Sequence, residues 1–230
     1  MIMTKVLVVL TNHEKFETIN RATGVWLSEA THFSKVMQDH QIDIDYVSPT
    51  GGYVPVDPGS INSEELDPVD NEFYENSDFR NFALGNSLKP SDITAADYAA
   101  IYFAGGHGTV WDFPKAKALG QLAKQIYDNG GVISAVCHGV VGLLSIEDDK
   151  GNKFINNKNL TGFTNEEEAI NQLTDDVPFL TEDALKKAGA HYTKKDAYTA
   201  NVVVDGRLVT GQNPQSAKGV GEAVIKQLNR

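Results

Sequence analysis

One cysteine, Cys137, stands in the run Ala135-Val136-Cys137-His138-Gly139. An apolar, β-branched stretch at residues 132–136 leads into it, and a second apolar stretch at 140–144 follows. This is the pattern of a nucleophile on a sharp strand-to-helix turn, where small flanking residues avoid a clash between the two elements. Backbone N–H groups at the start of the following helix favour the thiolate, so the pattern predicts a lowered thiol pKa. A small buried core residue is the competing reading, because free cysteine is often buried. The preceding strand, the small neighbours and the adjacent His138 favour the reactive one. Neighbouring side chains diverge at such a turn, so His138 needs a carboxylate from elsewhere to fix its tautomer.

Two further groups carry chemistry. Gly105-Gly106-His107-Gly108 follows an apolar run at 98–104, at the carboxyl end of a predicted strand, where α/β folds bind ligands. Glycine lets backbone N–H groups approach a substrate oxygen closely. The Gly106 and His138 amides are therefore expected to form an oxyanion hole, with Gly105 and His107 beside the substrate. A diglycine alone is also an ordinary tight turn. Glu29 lies three residues after Trp26 and four before Phe33, on the apolar face of a predicted helix. A carboxyl placed there is partly buried, with a raised pKa. Protonated, it can hydrogen-bond the Cys137 sulfur and exchange protons with a substrate. The alternative is a boundary glutamate that snorkels to water.

The elements that position these groups alternate. Residues 5–10 form a continuous apolar run, as a strand buried on both faces does. Trp26, Ala30, Phe33 and Met37 recur at helical spacing within 24–38. Strands are predicted at 42–47, 98–104 and 132–136, with a helix at 114–127 closed by Gly130-Gly131. Further elements are expected at 154–163, helices at 166–173 and 182–188, strand pieces at 202–204 and 208–209, and a last helix at 214–228. This alternation predicts an α/β fold with a mostly parallel sheet covered on both faces. Residues 50–90, rich in Pro, Gly, Asn, Asp and Glu, break the pattern and are read as an insertion or lid on one domain spanning residues 1–230.

The bulk numbers bound the function. The chain has 230 residues, 41% hydrophobic and 22% charged, enough to bury a core. A net charge of -11 repels phosphate backbones, so no nucleic-acid partner is expected. One cysteine excludes an internal disulfide and a Cys-rich metal site. The apolar run at 6–10 is too short for a secretion signal, and nothing approaches the roughly 18 apolar residues that span a bilayer. A cytoplasmic protein with no membrane association is expected. Spacing alone gives His32 and His107 no set of metal ligands, so neither metal nor cofactor is expected.

Taken together, Ser28-Glu29-Ala30-Thr31-His32, Ala104-Gly105-Gly106-His107-Gly108-Thr109, Ala135-Val136-Cys137-His138-Gly139 and Leu160-Thr161-Gly162-Phe163-Thr164 resemble the ThiJ/PfpI superfamily. The branch of heat-shock-chaperone-like, glutathione-independent glyoxalases is the most similar, and the run from Asp205 to Pro214 resembles its C-terminal signature. The resemblance implies a flavodoxin-like three-layer sandwich of the class I glutamine amidotransferase type, and a homodimer. It maps the nucleophile onto Cys137, the histidine onto His138 and the helix-borne carboxylate onto Glu29. It places the third acid after Thr-Gly-Phe-Thr, at Glu168. Glu166, Glu167 and Glu168 are consecutive, however, and Thr164 with Glu167 or Asn165 with Glu168 would each make a helix capping box. The activity implied is conversion of small 2-oxoaldehydes, methylglyoxal above all, to 2-hydroxy acids without glutathione or metal. The competing functions are a stress-inducible holdase or protein deglycase, a cysteine amidase or peptidase, and redox sensing through oxidation of Cys137.

Overall fold

The computed structural model describes residues 5–148 and 150–229. The first four residues, part of the amino-terminal stretch considered above, lie outside them. In chain order the strands are β1 (Lys5–Val9), β2 (Asp43–Val47), β3 (Tyr98–Phe103), β4 (Val132–Val136), β5 (Asn159–Leu160), β6 (His191–Tyr192), β7 (Val202–Asp205) and β8 (Leu208–Gly211). The helices are α1 (Leu27–Asp39), α2 (Pro68–Glu75), α3 (Thr109–Asp112), α4 (Lys117–Asp128), α5 (Asn165–Ile170), α6 (Thr181–Lys187) and α7 (Ala217–Leu228).

The main sheet runs β2-β1-β3-β4-β8-β7. Every pairing in it is parallel except β7 with β8, which closes one edge antiparallel. The period of two along β1 explains why the sheet is covered twice. Val6, Val8 and Leu10 join Leu27, Phe33, Met37, Val220 and Val224 of α1 and α7 in one apolar cluster. Leu7 and Val9 join Leu119, Leu122, Ala123 and Ile126 of α4 in another. A strand sandwiched this way has no polar face to show, which is why its sequence is continuously apolar. The result is an α/β sandwich of three layers.

Two local departures from the sequence expectation have physical causes. The segment after Cys137 is a 3₁₀ helix, Cys137–Ser145, rather than an α-helix. A Cβ on Gly139 would lie 2.5 Å from the Phe103 carbonyl oxygen, so the chain passes against the end of β3 with no room for a side chain there. The predicted helix at 114–127 begins later, at Lys117, because Pro114 sits in a separate 3₁₀ turn, Phe113–Lys115. The 50–90 segment folds onto the body. Asp67 caps α2 through its side chain, with Asp70 returning the bond in a capping box, and a π-helical turn spans Phe79–Gly85. Phe73 and Phe79 are buried beside Tyr46 of β2.

Candidate active site

Cys137 sits at the carboxyl end of β4 with φ of 56°, a left-handed conformation that costs a non-glycine residue energy and marks a functional turn. Its thiol is buried. The carboxyl of Glu29, wholly buried on α1, interacts with it. Helix α1 is held to β3 by a stack of Phe33 on Tyr102, with ring centroids 3.7 Å apart, and by the Tyr102 hydroxyl donating to the Glu29 carbonyl at 2.8 Å. The backbone amide of Trp26 also donates to the Gly105 carbonyl. These contacts fix the turn of helix from which Glu29 enters the site.

Glu29 Oε2 accepts the Gly105 amide at 2.6 Å, whereas Oε1 is buried with no hydrogen bond of good geometry. Burial pushes the Glu29 carboxyl up to about 8, against opposing pulls from Cys137 and the Gly105 amide. The boundary-glutamate alternative is excluded by complete burial. Burial also pushes the Cys137 thiol up, and the Glu29 carboxylate adds to the push, while the His138 amide opposes it. The expected lowering of the thiol pKa is therefore corrected. A sulfur sealed from water beside an acidic group loses more by ionising than a short 3₁₀ segment returns. At neutral pH the pair retains protons, and ionisation of the sulfur needs an acceptor.

That acceptor stands next to it. His138 Nδ1 lies 3.5 Å from Cys137 Sγ, and His138 Nε2 lies 2.7 Å from Glu168 Oε2. An ionised carboxylate only accepts, so Nε2 bears the imidazole proton and Nδ1 faces the sulfur with a free lone pair. Burial and the neighbouring His107 lower the His138 pKa, against the pull of Glu168, which keeps the ring neutral and able to take a proton. Glu168 is held well below the usual carboxylate range. Burial opposes this, but the two imidazoles outweigh it.

The second imidazole is His107. Its Nε2 lies 2.7 Å from Glu168 Oε1, and its ring packs 4.1 Å from that of His138. This reassigns two of the residues expected to line an oxyanion hole. The Gly105 amide is spent on Glu29, and the His107 ring is spent on Glu168. Gly106, at φ of 105°, keeps its place at the turn, since a Cβ there would lie 2.2 Å from the Gly24 carbonyl oxygen. The nitrogens of His107 and His138 and a Glu168 oxygen lie within 4.8 Å of one another, a spacing compatible with a cation. In the structure the ring nitrogens are occupied by the shared carboxylate.

Sequence reasoning offered Glu167 as one of two capping candidates but missed its second set of partners. Glu167 closes the capping box with Thr164, accepting the Thr164 amide and hydroxyl at Oε2. Its Oε1 accepts from the Tyr198 amide, Gln212 and Asn213. Glu167 thus caps and anchors α5, which leaves Glu168, the next residue, to reach the histidines. The adjacent Gln212-Asn213 pair was the available signal.

The model of the DJ-1/PfpI family matches residues 18–227. Glyoxalase 3 of Candida albicans is 40% identical over 232 aligned residues, covering 97% of this chain and 98% of that protein. The glutathione-independent glyoxalase HSP31 of Saccharomyces cerevisiae is 37% identical over 236 residues, with 97% and 98% covered. The X-ray structure of the Francisella tularensis rapid encystment protein of 24 kDa superposes with a TM-score of 0.94 at 42% identity, covering 98% of this chain and 99% of that one. On a match that runs through the strand-turn cysteine, the helix-borne glutamate and the α5 acid alike, this chain belongs to the DJ-1/PfpI family.

Proposed function

We propose that this protein is a glutathione-independent glyoxalase that converts methylglyoxal and related 2-oxoaldehydes to 2-hydroxy acids through a covalent adduct on Cys137. The observation that carries the reading is the placing of one buried thiol between a protonated carboxyl, Glu29, and an imidazole, His138, whose free nitrogen faces the sulfur. Glyoxalase relatives alignable over nearly the whole chain support the substrate class.

The steps follow from these positions. His138 Nδ1 takes the thiol proton as Sγ attacks the aldehyde carbon, C1. The proton passes to the resulting oxyanion, which the His138 and Gly106 amides steady, giving a hemithioacetal. Glu29 gives its proton to the C2 carbonyl oxygen and takes the hydrogen from C1, leaving an enediol. It then protonates C2 while accepting the C1 hydroxyl proton, which leaves a thioester. His138 deprotonates a water that attacks this thioester, and Cys137 leaves, recovering its proton. The sum is one 2-oxoaldehyde and one water to one 2-hydroxy acid; the two electrons lost at C1 are gained at C2, so no outside oxidant or reductant is needed. Glu168 touches no reacting atom and acts by fixing the His138 tautomer.

A homodimer and a cytoplasmic location belong to the same reading and rest on the family resemblance. Among the described residues no helix is long and apolar enough to cross a membrane. The test is incubation of purified protein with methylglyoxal in the absence of any thiol, with NMR identification of the product. Lactate is expected, and no turnover would overturn the proposal.

A further inference from the structure

A second group of chemistry-bearing side chains lies on the outer side of α1, one helical turn beyond Glu29. His32 of α1 meets Asp67 and Asp70, which begin α2 in the 50–90 segment. Each carboxylate divides its oxygens. Asp67 Oδ1 accepts the Val69 and Asp70 amides at 2.8 and 3.0 Å, and Asp70 Oδ2 accepts the Asp67 amide at 3.3 Å. Those bonds build the capping box and lock both side chains. The remaining oxygens, Asp67 Oδ2 and Asp70 Oδ1, stand 3.0 and 3.8 Å from His32 Nε2.

That nitrogen is within ion-pair distance of both carboxylates but is bonded in line to neither. His32 Nε2 is sealed from solvent and makes no hydrogen bond of acceptable geometry, despite its nearness to two carboxylates. An imidazolium proton would therefore not lie on the line to either oxygen. Asp70 is wholly buried, where a carboxylate without a well-placed positive partner is costly. Thr31 donates its hydroxyl to Asp70 Oδ1, the sort of bond from a neighbouring side chain that orients a metal-ligating carboxylate.

We propose that His32 Nε2, Asp67 Oδ2 and Asp70 Oδ1 form a binding site for a divalent first-row cation of the zinc type, completed by solvent. The three donor atoms lie within 4.8 Å of one another. At bond lengths of about 2.1 Å the two separations from Nε2 subtend about 90° and about 130° at an ion, within the range that zinc accepts. One imidazole with two carboxylates suits zinc, cobalt or manganese better than magnesium, which prefers oxygen alone. The sequence concealed the site because its aspartates arrive from the segment that reads as an insertion. An ion here would clamp α2 to α1 and so brace the helix that carries Glu29.

The test uses the full chain freed of metal by chelation. Zinc binding is followed by calorimetry and by thermal shift, and cobalt(II) by its visible spectrum. The variants are His32→Ala and Asp67→Asn, the latter keeping the capping oxygen. Cys137→Ala and Glu168→Gln control for zinc captured at the active site, at the sulfur and at the His107, His138 and Glu168 group respectively. One ion should bind wild type and both controls, raising the melting temperature by roughly 5 °C at about 100 times Kd. Binding should weaken at least about tenfold in His32→Ala and Asp67→Asn, and cobalt should show no sulfur charge-transfer band. Equal affinity in wild type and His32→Ala would overturn the site. So would a melting temperature that falls in metal-free His32→Ala while zinc stabilises no variant, since that is the behaviour of a plain ion pair.

Discussion

Glu168 holds His138 through a 2.7 Å contact between Oε2 and Nε2, and this contact settles which histidine nitrogen faces Cys137. Glu168→Gln can present an amide oxygen or an amide N–H to Nε2, and so ceases to dictate the tautomer. By analogy with carboxylate-to-amide changes in other catalytic triads, kcat should fall about 10³-fold or more. A carboxyl held well below its ordinary range stabilises the fold at neutral pH, so the variant should also melt lower at pH 7, and kcat is to be read at a temperature where circular dichroism shows it folded.

His107 shares the same carboxylate and is cast as a positioning residue. It helps to keep Glu168 ionised, so its removal should raise the Glu168 pKa. His107 also lowers the His138 pKa, so without it the base takes up a proton at higher pH, and the acid limb of the kcat/KM profile should move to higher pH in His107→Phe. The loss at neutral pH should be about tenfold, smaller than for Glu168→Gln. An acid limb that stays in place would contradict this role.

Glu29 links function to stability with a definite sign. Its native pKa is raised to about 8, against 4.5 for the ordinary carboxyl. Its contribution to stability is therefore complete below about pH 4.5 and is lost as pH rises towards 8. At pH 7 the native state holds a proton that the unfolded chain has released, at a cost of about 3 kcal/mol. Glu29→Gln removes that cost and can still accept the Gly105 amide. Its unfolding free energy should exceed that of wild type by up to about 3 kcal/mol at pH 7 and match it near pH 4. Turnover should be lost throughout. Denaturant titrations at the two pH values test this.

Glu167 should behave in the opposite way. Its carboxylate satisfies five donors, on Thr164, Tyr198, Gln212 and Asn213. Glu167→Ala strands several of them in a buried setting, and a loss of about 2–4 kcal/mol is expected. A melting curve would show it as a large fall.

How far the sequence disclosed this arrangement depended on range. The strand at 132–136, the sharp turn at Cys137 and the apolar-face position of Glu29 were legible because each rests on local periodicity. Glu168 came only through family resemblance. Its own neighbourhood, three glutamates at a helix start, fits capping as well, and the structure shows that Glu167 does cap while Glu168 does not. The spending of the Gly105 amide on Glu29 and of His107 on Glu168 was not legible, because each bond joins residues far apart in the chain. The direction of the thiol pKa was misread for a different reason. Local pattern gave the helix-terminus effect, while burial beside Glu29 is a tertiary quantity and the larger one. The aspartates facing His32 were hidden likewise inside a segment whose composition reads as loop.

The central claim is that Cys137 carries the substrate. Its most direct test is turnover of methylglyoxal, without glutathione, by wild type and Cys137→Ala prepared side by side, with chiral analysis of the lactate. Wild type should give a single enantiomer of lactate, and Cys137→Ala should give no more than the uncatalysed background. Undiminished turnover in Cys137→Ala, or racemic lactate from wild type, would contradict the account.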